Sequence, residues 1–222
     1  MITEVFHKLP GLLAKNGITV HGIIQVGAGD CEELPIFRQI TDKILCIEPN
    51  KEYDAILDEQ LTGMFESHLN YAIGCKHFAE TTLYIPRDRQ RSSILAPISE
   101  PVETTQHVMV VPLSHITSLN GVWDHNLLVV DVQGAELDVL KSADLTKFDA
   151  IVCEMDEKVR YEGAPAPDEI TEYLFIHGFT FKEMFRHKPA THIIDGFFVR
   201  DREPAQIKEP AEIAVIEELV PA

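Results

Sequence analysis

Ile23-Ile24-Gln25-Val26-Gly27-Ala28-Gly29-Asp30 is the stretch on which the fold turns. Thr19 to Val26 reads as a buried strand, ended by a glycine turn just before an acid. Glycines at 27 and 29 permit a sharp bend and let backbone N–H groups approach a ligand with no side chain between. A dinucleotide fingerprint beginning at Gly27 needs its last glycine at position 32, where this chain has Glu32. A pyrophosphate would meet an acid there, which disfavours a nicotinamide cofactor. The turn itself reads as a ligand cradle or as a plain structural bend.

The segment up to Asn16 carries Val5, Phe6, Leu9, Leu12 and Leu13 at helical spacing, with Pro10 the point where continuity is at stake. After the glycine turn come a short helix (Glu32 to Ile40), a second strand (Lys43 to Ile47) and a helix over Lys51 to Glu59. Leu69 to Ile73 reads as the third strand, and Thr81-Thr82-Leu83-Tyr84-Ile85 alternates like an edge strand. Residues 86 to 106 lack periodicity and read as a long, lid-like loop, after which His107 to Val111 is again extended. Asn126-Leu127-Leu128-Val129-Val130 is the strongest buried-strand signal, and Asp131 follows it at once. A helix with Leu137, Leu140 and Ala143 leads to the strand Ala150 to Cys153, which ends in Glu154. A helix over Pro167 to His177 stops at Gly178, and Phe179 to Met184 pairs with His192 to Val199 as a closing antiparallel unit.

Apolar strands alternating with helices imply an α/β domain with a mostly parallel sheet and helices on both faces. Ligands of such sheets sit beyond the carboxyl ends of the strands. The polar residues that stand out, Asp30, Glu48, Asp131 and Glu154, all fall at that edge. Glu48 lies 21 residues after Gly27, the place from which a carboxylate accepts the ribose hydroxyls of an adenosine cofactor; a surface strand-end acid is the alternative. Asp131 can hold a cofactor, orient an acceptor hydroxyl or act as a base. Glu136 falls in a first helical turn, where a negative charge is favourable for structural reasons alone. Asp131 and Glu154, with Asp156, offer hard oxygen ligands for magnesium or manganese. His107, His115, His187 and His192 lie nearer the substrate side, and none is assigned as a base.

The 222 residues suffice for one sizeable core, and 45% apolar with 25% charged residues is a globular composition. Residues 1–200 read as one domain. Residues 201–222, with six acids, two bases and three prolines, read as an acidic tail that docks on the body or on a second subunit of a homodimer. No apolar run approaches the ~20 residues of a membrane span. The start Met1-Ile2-Thr3-Glu4 lacks the pattern of a secretory signal, so a cytoplasmic location is expected. Cys31, Cys46, Cys75 and Cys153 lack metal-knuckle spacing and read as reduced, mostly packed thiols. A net charge of −17 argues against nucleic-acid and anionic-membrane partners. Arg87, Arg89 and Arg91 form the one candidate basic patch, either a receptor for an anionic substrate group or a solvated loop.

Read together, several segments resemble the FkbM family of S-adenosylmethionine-dependent methyltransferases. They are Val26-Gly27-Ala28-Gly29, Ile47-Glu48-Pro49-Asn50, Asn70-Tyr71-Ala72-Ile73-Gly74, Ser92-Ser93-Ile94-Leu95, Val130-Asp131-Val132-Gln133-Gly134-Ala135-Glu136-Leu137-Asp138-Val139-Leu140-Lys141 and Ile151-Val152-Cys153-Glu154-Met155, in family order over roughly residues 20 to 200. The resemblance implies a class I (Rossmann-like) methyltransferase fold with a seven-stranded sheet and a small strand and loop insertion. It also implies O-methylation of a hydroxyl on a sugar or small natural-product acceptor. By that resemblance Gln25, Gly27, Ala28 and Gly29 line the methionine side of S-adenosylmethionine, and Glu48, with Pro49 and Asn50, holds its ribose. Asn70, Tyr71 and Ala72 border the adenine, Asp131 lies where cofactor and acceptor meet, and Glu136 supports that catalytic loop.

The chain departs from the family pattern at Gln25, Gly29, Cys31 and Gln133, where an acid, an asparagine, a glycine and an acid are usual. Glutamine keeps hydrogen bonding but takes no proton. The competing reading is therefore a catalytically weak methyltransferase-fold protein that acts as a binding or assembly partner.

Overall fold

Three wholly buried, mostly apolar tetrads and a mostly apolar heptad form the middle of the molecule, because runs of that kind bury on both faces only in the interior of a parallel sheet. The computed structural model describes residues 2–119, 122, 124–187 and 192–201. The first half of the chain runs α1 (Glu4–Lys15), β1 (Ile23–Val26), α2 (Leu34–Ile40), β2 (Ile44–Ile47), α3 (Asp54–Gln60), β3 (Glu66–Leu69), β4 (Ala72–Ile73), β5 (Ala79–Pro86) and β6 (Val102–Val111). The second runs α4 (Leu113–Ile116), β7 (Leu127–Val130), α5 (Glu136–Ser142), β8 (Ala150–Asp156), α6 (Pro167–Ile176), β9 (Phe179–Arg186) and β10 (Ile193–Arg200).

Seven strands form the main sheet in the order β3-β2-β1-β7-β8-β10-β9. Strands β3 through β8 in that order are parallel, and β10 is antiparallel to both β8 and β9. Strand order reverses beside β1, the place where such sheets open a ligand crevice. Register carries the loops there together: Val26 pairs with Ile47 on one side and with Val130 on the other. The chain therefore leaves β1, β2 and β7 at one level.

Alternate residues of each strand feed two cores. Ile23 and Val129 join Val5, Leu9 and Phe37 on one face, and Ile24, Val26 and Val130 join Val139, Leu140 and Leu174 on the other. The helix over α1 continues through Pro10. All four cysteines are free thiols, with Cys31, Cys46 and Cys153 buried and Cys75 exposed. Among the described residues, no helix is long and apolar enough to cross a membrane.

Three expectations need correction. The third strand of the main sheet is Glu66–Leu69, a half-exposed edge strand, whereas Ala72–Ile73 belongs to a separate sheet of order β4-β6-β5. The expected strand thus straddles two sheets. Residues 86 to 106 are not loop throughout: Val102 begins a ten-residue strand whose outer half is polar because it pairs with β5 away from the core. The first strand is Ile23–Val26, shorter than Thr19 to Val26. All but Asp201 of the expected tail lies outside the described residues.

Candidate functional site

The loops leaving β1, β2 and β7 wall a cavity of about 400 Å³, closed further by the segment after β5, by the start of α1 and by the ends of β8 and β9. That volume is in the range of small-ligand sites. Gly27 shapes its floor. Its φ is +80°, and a Cβ there would lie 1.7 Å from the carbonyl oxygen of Asp131. Only glycine lets the β1 and β7 loops approach so closely. Gly29 also has positive φ, with open space on its side-chain face.

Glu48 stands at the end of β2, buried, with one carboxylate oxygen accepting the N–H of Gly29 at 2.8 Å and the other accepting that of Asn50 at 2.8 Å. Desolvation raises its pKa to about 7, against the pull of those two donors. Each oxygen keeps acceptor capacity for a hydroxyl. Pro49, Tyr71 and Ala72 line the same wall, as do Gln25, Gly27, Ala28 and Gly29.

Asn50 and Asn70 do not reach the cavity. Asn70 donates from Nδ2 to the Glu48 carbonyl at 3.0 Å and to Asp54 Oδ1 at 3.1 Å, which ties the β2 and β3 ends together. Asn50 is fully buried, its Oδ1 accepting from Glu52 N and from Gln106 Nε2, both at 3.1 Å. Both residues hold the wall that Glu48 presents.

Asp131 is in the cavity, at the end of β7. Gln133, at φ +57°, donates from Nε2 to Asp131 Oδ1 and to Glu154 Oε1, each at 2.7 Å. One amide thus bridges two carboxylates, and Tyr161 donates its hydroxyl to Gln133 Oε1 at 3.3 Å. Desolvation raises Asp131 to about 6, with the nearby charge of Asp195 adding to it and the Gln133 bond opposing it. Glu154 is pushed well above the usual carboxylate range by burial, then by Asp131 and Asp195.

Glu136 lies behind this loop and does not line the cavity. It is buried, accepts the Gly134 N–H at 2.8 Å, and is raised to about 7 by desolvation. Its place is that of a loop-holding group.

The departure at Gln25 has a counterpart. Gln25 Nε2 donates to Glu33 Oε2 at 3.0 Å, so a carboxylate from the start of α2 stands beside the position where the family carries one on β1. Burial raises Glu33, and the Gln25 bond restrains the rise. Glu33 escapes sequence reasoning because nothing in its own neighbourhood marks it.

Of the expected metal ligands, Asp131 and Glu154 share the cavity, joined by Gln133, whereas Asp156 does not join them. Asp156 turns away to pair with Arg160 and to accept the Lys158 N–H at 2.9 Å. His187 and Asp195 stand in the cavity wall instead. His107 lies on β6, His115 packs its ring against Phe78, and His192 faces Glu157. In the arginine patch, Arg89 pairs with Glu52 and Glu103, and Arg91 with Asp88 and Glu100, so both charges are already matched.

The chain matches none of the curated protein sequences. Among solved structures it is similar to a magnesium protoporphyrin IX methyltransferase from Synechocystis PCC 6803 with bound S-adenosylmethionine (TM-score 0.50, 12% identity, covering 89% of this chain and 79% of that one). It is similar also to a 1,6-didemethyltoxoflavin-N1-methyltransferase from Burkholderia thailandensis with bound S-adenosylhomocysteine (TM-score 0.50, 10% identity, 89% and 79%). An Escherichia coli protein described as a methyltransferase gives TM-score 0.51 at 11% identity over 91% and 89%. These likenesses establish the class I S-adenosylmethionine-dependent methyltransferase fold. The methyltransferase FkbM domain matches residues 13–181, most of the chain. The protein belongs to the FkbM family of S-adenosylmethionine-dependent methyltransferases.

Proposed function

We propose that the protein binds S-adenosylmethionine in this cavity and methylates a hydroxyl of a sugar or small natural-product acceptor. The observation that carries the reading is the placement of Glu48 and Asp131 on one cavity, at the ends of the two strands that flank β1. Glu48 suits a vicinal ribose diol: it is a buried carboxylate, fixed by two backbone donors, with lone pairs to spare. Gln25 and the turn Gly27 to Gly29 would hold the methionine portion, Glu48 and Pro49 the ribose, and Tyr71 and Ala72 the adenine. Asn50 and Asn70 keep Glu48 in place.

When bound, S-adenosylmethionine supplies an electrophilic methyl group on a sulfonium centre. The protein's task is alignment, together with a base for an acceptor that is a weak nucleophile. Asp131 orients the acceptor hydroxyl and takes its proton on a carboxylate oxygen. Gln133 fixes Asp131 through Oδ1, and Glu136 holds the intervening loop through Gly134. The net charge of −17 favours a small acceptor over a nucleic acid.

Titration calorimetry with S-adenosylmethionine and S-adenosylhomocysteine, on the wild type and on Glu48→Ala, tests the cofactor assignment. Micromolar binding abolished in the variant is expected. A folded wild-type protein that binds neither molecule would refute it.

A further inference from the structure

Glu154 and Asp195 are directly opposed partners on the antiparallel strands β8 and β10, buried at 7% and 3% exposure. Like charges placed directly across a strand pair repel, and more so away from water. Asp131 adds a third carboxylate to the same wall. Among the described residues lining this wall, the cations are His187 and Arg160, and Arg160 is committed to Asp156. The fold therefore concentrates negative charge here on rigid strands and leaves a single imidazole to face it.

We propose that Glu154, His187 and Asp195 form a divalent-cation site in the acceptor half of the cavity. Their donor atoms converge: His187 Nε2 lies 2.9 Å from Asp195 Oδ2 and 3.6 Å from Glu154 Oε2, and the three atoms all fall within 4.8 Å of one another. Ligands about 2.1 Å from one ion stand roughly 3 to 4 Å apart, so small shifts admit a cation between them. The outer bonds suit ligands as well. Gln133 holds Glu154 through Oε1 and leaves Oε2 toward His187, while Thr3 donates to Asp195 Oδ2 at 2.8 Å.

The alternative role for His187, a proton acceptor for the substrate, fits the geometry less well, because its Nε2 is aimed at two carboxylates rather than into open space. Carboxylates suit Mn²⁺ and an imidazole suits Zn²⁺, so one imidazole with two carboxylates accommodates either ion. The remaining coordination positions are left for water or for oxygens of the acceptor. That last role rests on the methyl-transfer reading of the cavity; the cation site itself does not.

Chelator-treated full-length protein titrated with MnCl₂, followed by the loss of the free Mn²⁺ electron paramagnetic resonance signal, tests the site. ZnCl₂ calorimetry runs in parallel. About one ion per chain is expected, with affinity falling more than about tenfold in Asp195→Asn and His187→Gln and unchanged in Asp156→Asn. Wild-type protein that binds S-adenosylmethionine yet leaves both metals free at millimolar concentration overturns the proposal. So does metal binding that Asp195→Asn and His187→Gln both leave intact. Metal binding with the expected variant pattern but no S-adenosylmethionine binding would support the site while refuting the methyltransferase reading.

Discussion

Replacing Glu136 by glutamine should make the protein more stable at neutral and alkaline pH than the wild type. The side chain is 4% exposed, and its carboxyl is raised from 4.5 to about 7 by desolvation, which the Gly134 N–H only partly offsets. Below pH 4.5 the group is protonated in both folded and unfolded chains and its full contribution is present. Between 4.5 and about 7 the unfolded chain releases the proton while the folded chain keeps it. Stability then falls as pH rises, by up to about 1.4 kcal/mol per pH unit. Above 7 both states are ionised and about 3 kcal/mol has been lost. Glutamine keeps an acceptor for Gly134 and cannot ionise. Urea titrations of both proteins at pH 4.5, 6 and 8 should show the variant gaining about 3 kcal/mol on the wild type across that range. Glu48 and Asp131 titrate in both proteins and largely cancel in the difference. A difference that stays constant with pH would refute the assignment of a desolvated, protonated Glu136 to the folded state.

Gly27→Ala should cost well over the ~1 kcal/mol of an ordinary glycine-to-alanine change, since the new Cβ meets the Asp131 carbonyl oxygen at positive φ; thermal melts would show it, and an unchanged melt would mean that the two loops are not so close. Gln133→Glu, the residue usual in the family, should destabilise this chain by about 3 kcal/mol at pH 8, because it replaces the donor shared by Asp131 and Glu154 with a third carboxylate. If Asp131 is the base, turnover at saturating cofactor should rise with pH to a plateau above about 6, its raised value. Asp131→Asn should lose about 10² or more in rate together with that limb, and full turnover with the same profile would exclude the role.

The centre of the sheet is readable because Leu127 to Val130 is wholly apolar and Ile23 to Val26 is apolar but for Gln25, and few environments other than a two-sided core tolerate such runs. The edge is not. Glu66-Ser67-His68-Leu69 has one side open to water and so carries no apolar run, which draws the reading onward to the more apolar Leu69 to Ile73. In the same way Val102-Glu103-Thr104-Thr105-Gln106 resembles loop because its pairing with β5 lies outside the main core. Within the site, Glu48 and Asp131 are legible as acids that stop buried strands. Glu33 and Thr3 are not, since only the tertiary fold brings them to the cavity, and of the four histidines expected nearer the substrate side only the fold singles out His187 as lining it. Asp195 did leave a signal: an acid inside Ile193-Ile194-Asp195-Gly196-Phe197-Phe198 is a charge in the middle of a buried strand, and such a charge requires a partner.

The two glutamines that set this chain apart from its family bear on whether its chemistry is intact. Neither substitution removes the carboxylate from the cavity. Beside Gln25 the acid comes from Glu33, on another element but in hydrogen-bonding contact. At Gln133 the uncharged amide joins Asp131 to Glu154, and a glutamate there would repel both. The glutamines therefore act as donors that hold neighbouring carboxylates in place, Glu33 beside Gln25 and both Asp131 and Glu154 beside Gln133. A decaying site would show orphaned polar groups, yet among the described residues the one buried side-chain atom without a hydrogen bond is His125 Nδ1, which lies 3.4 Å from Asp124 Oδ1 and away from the cavity.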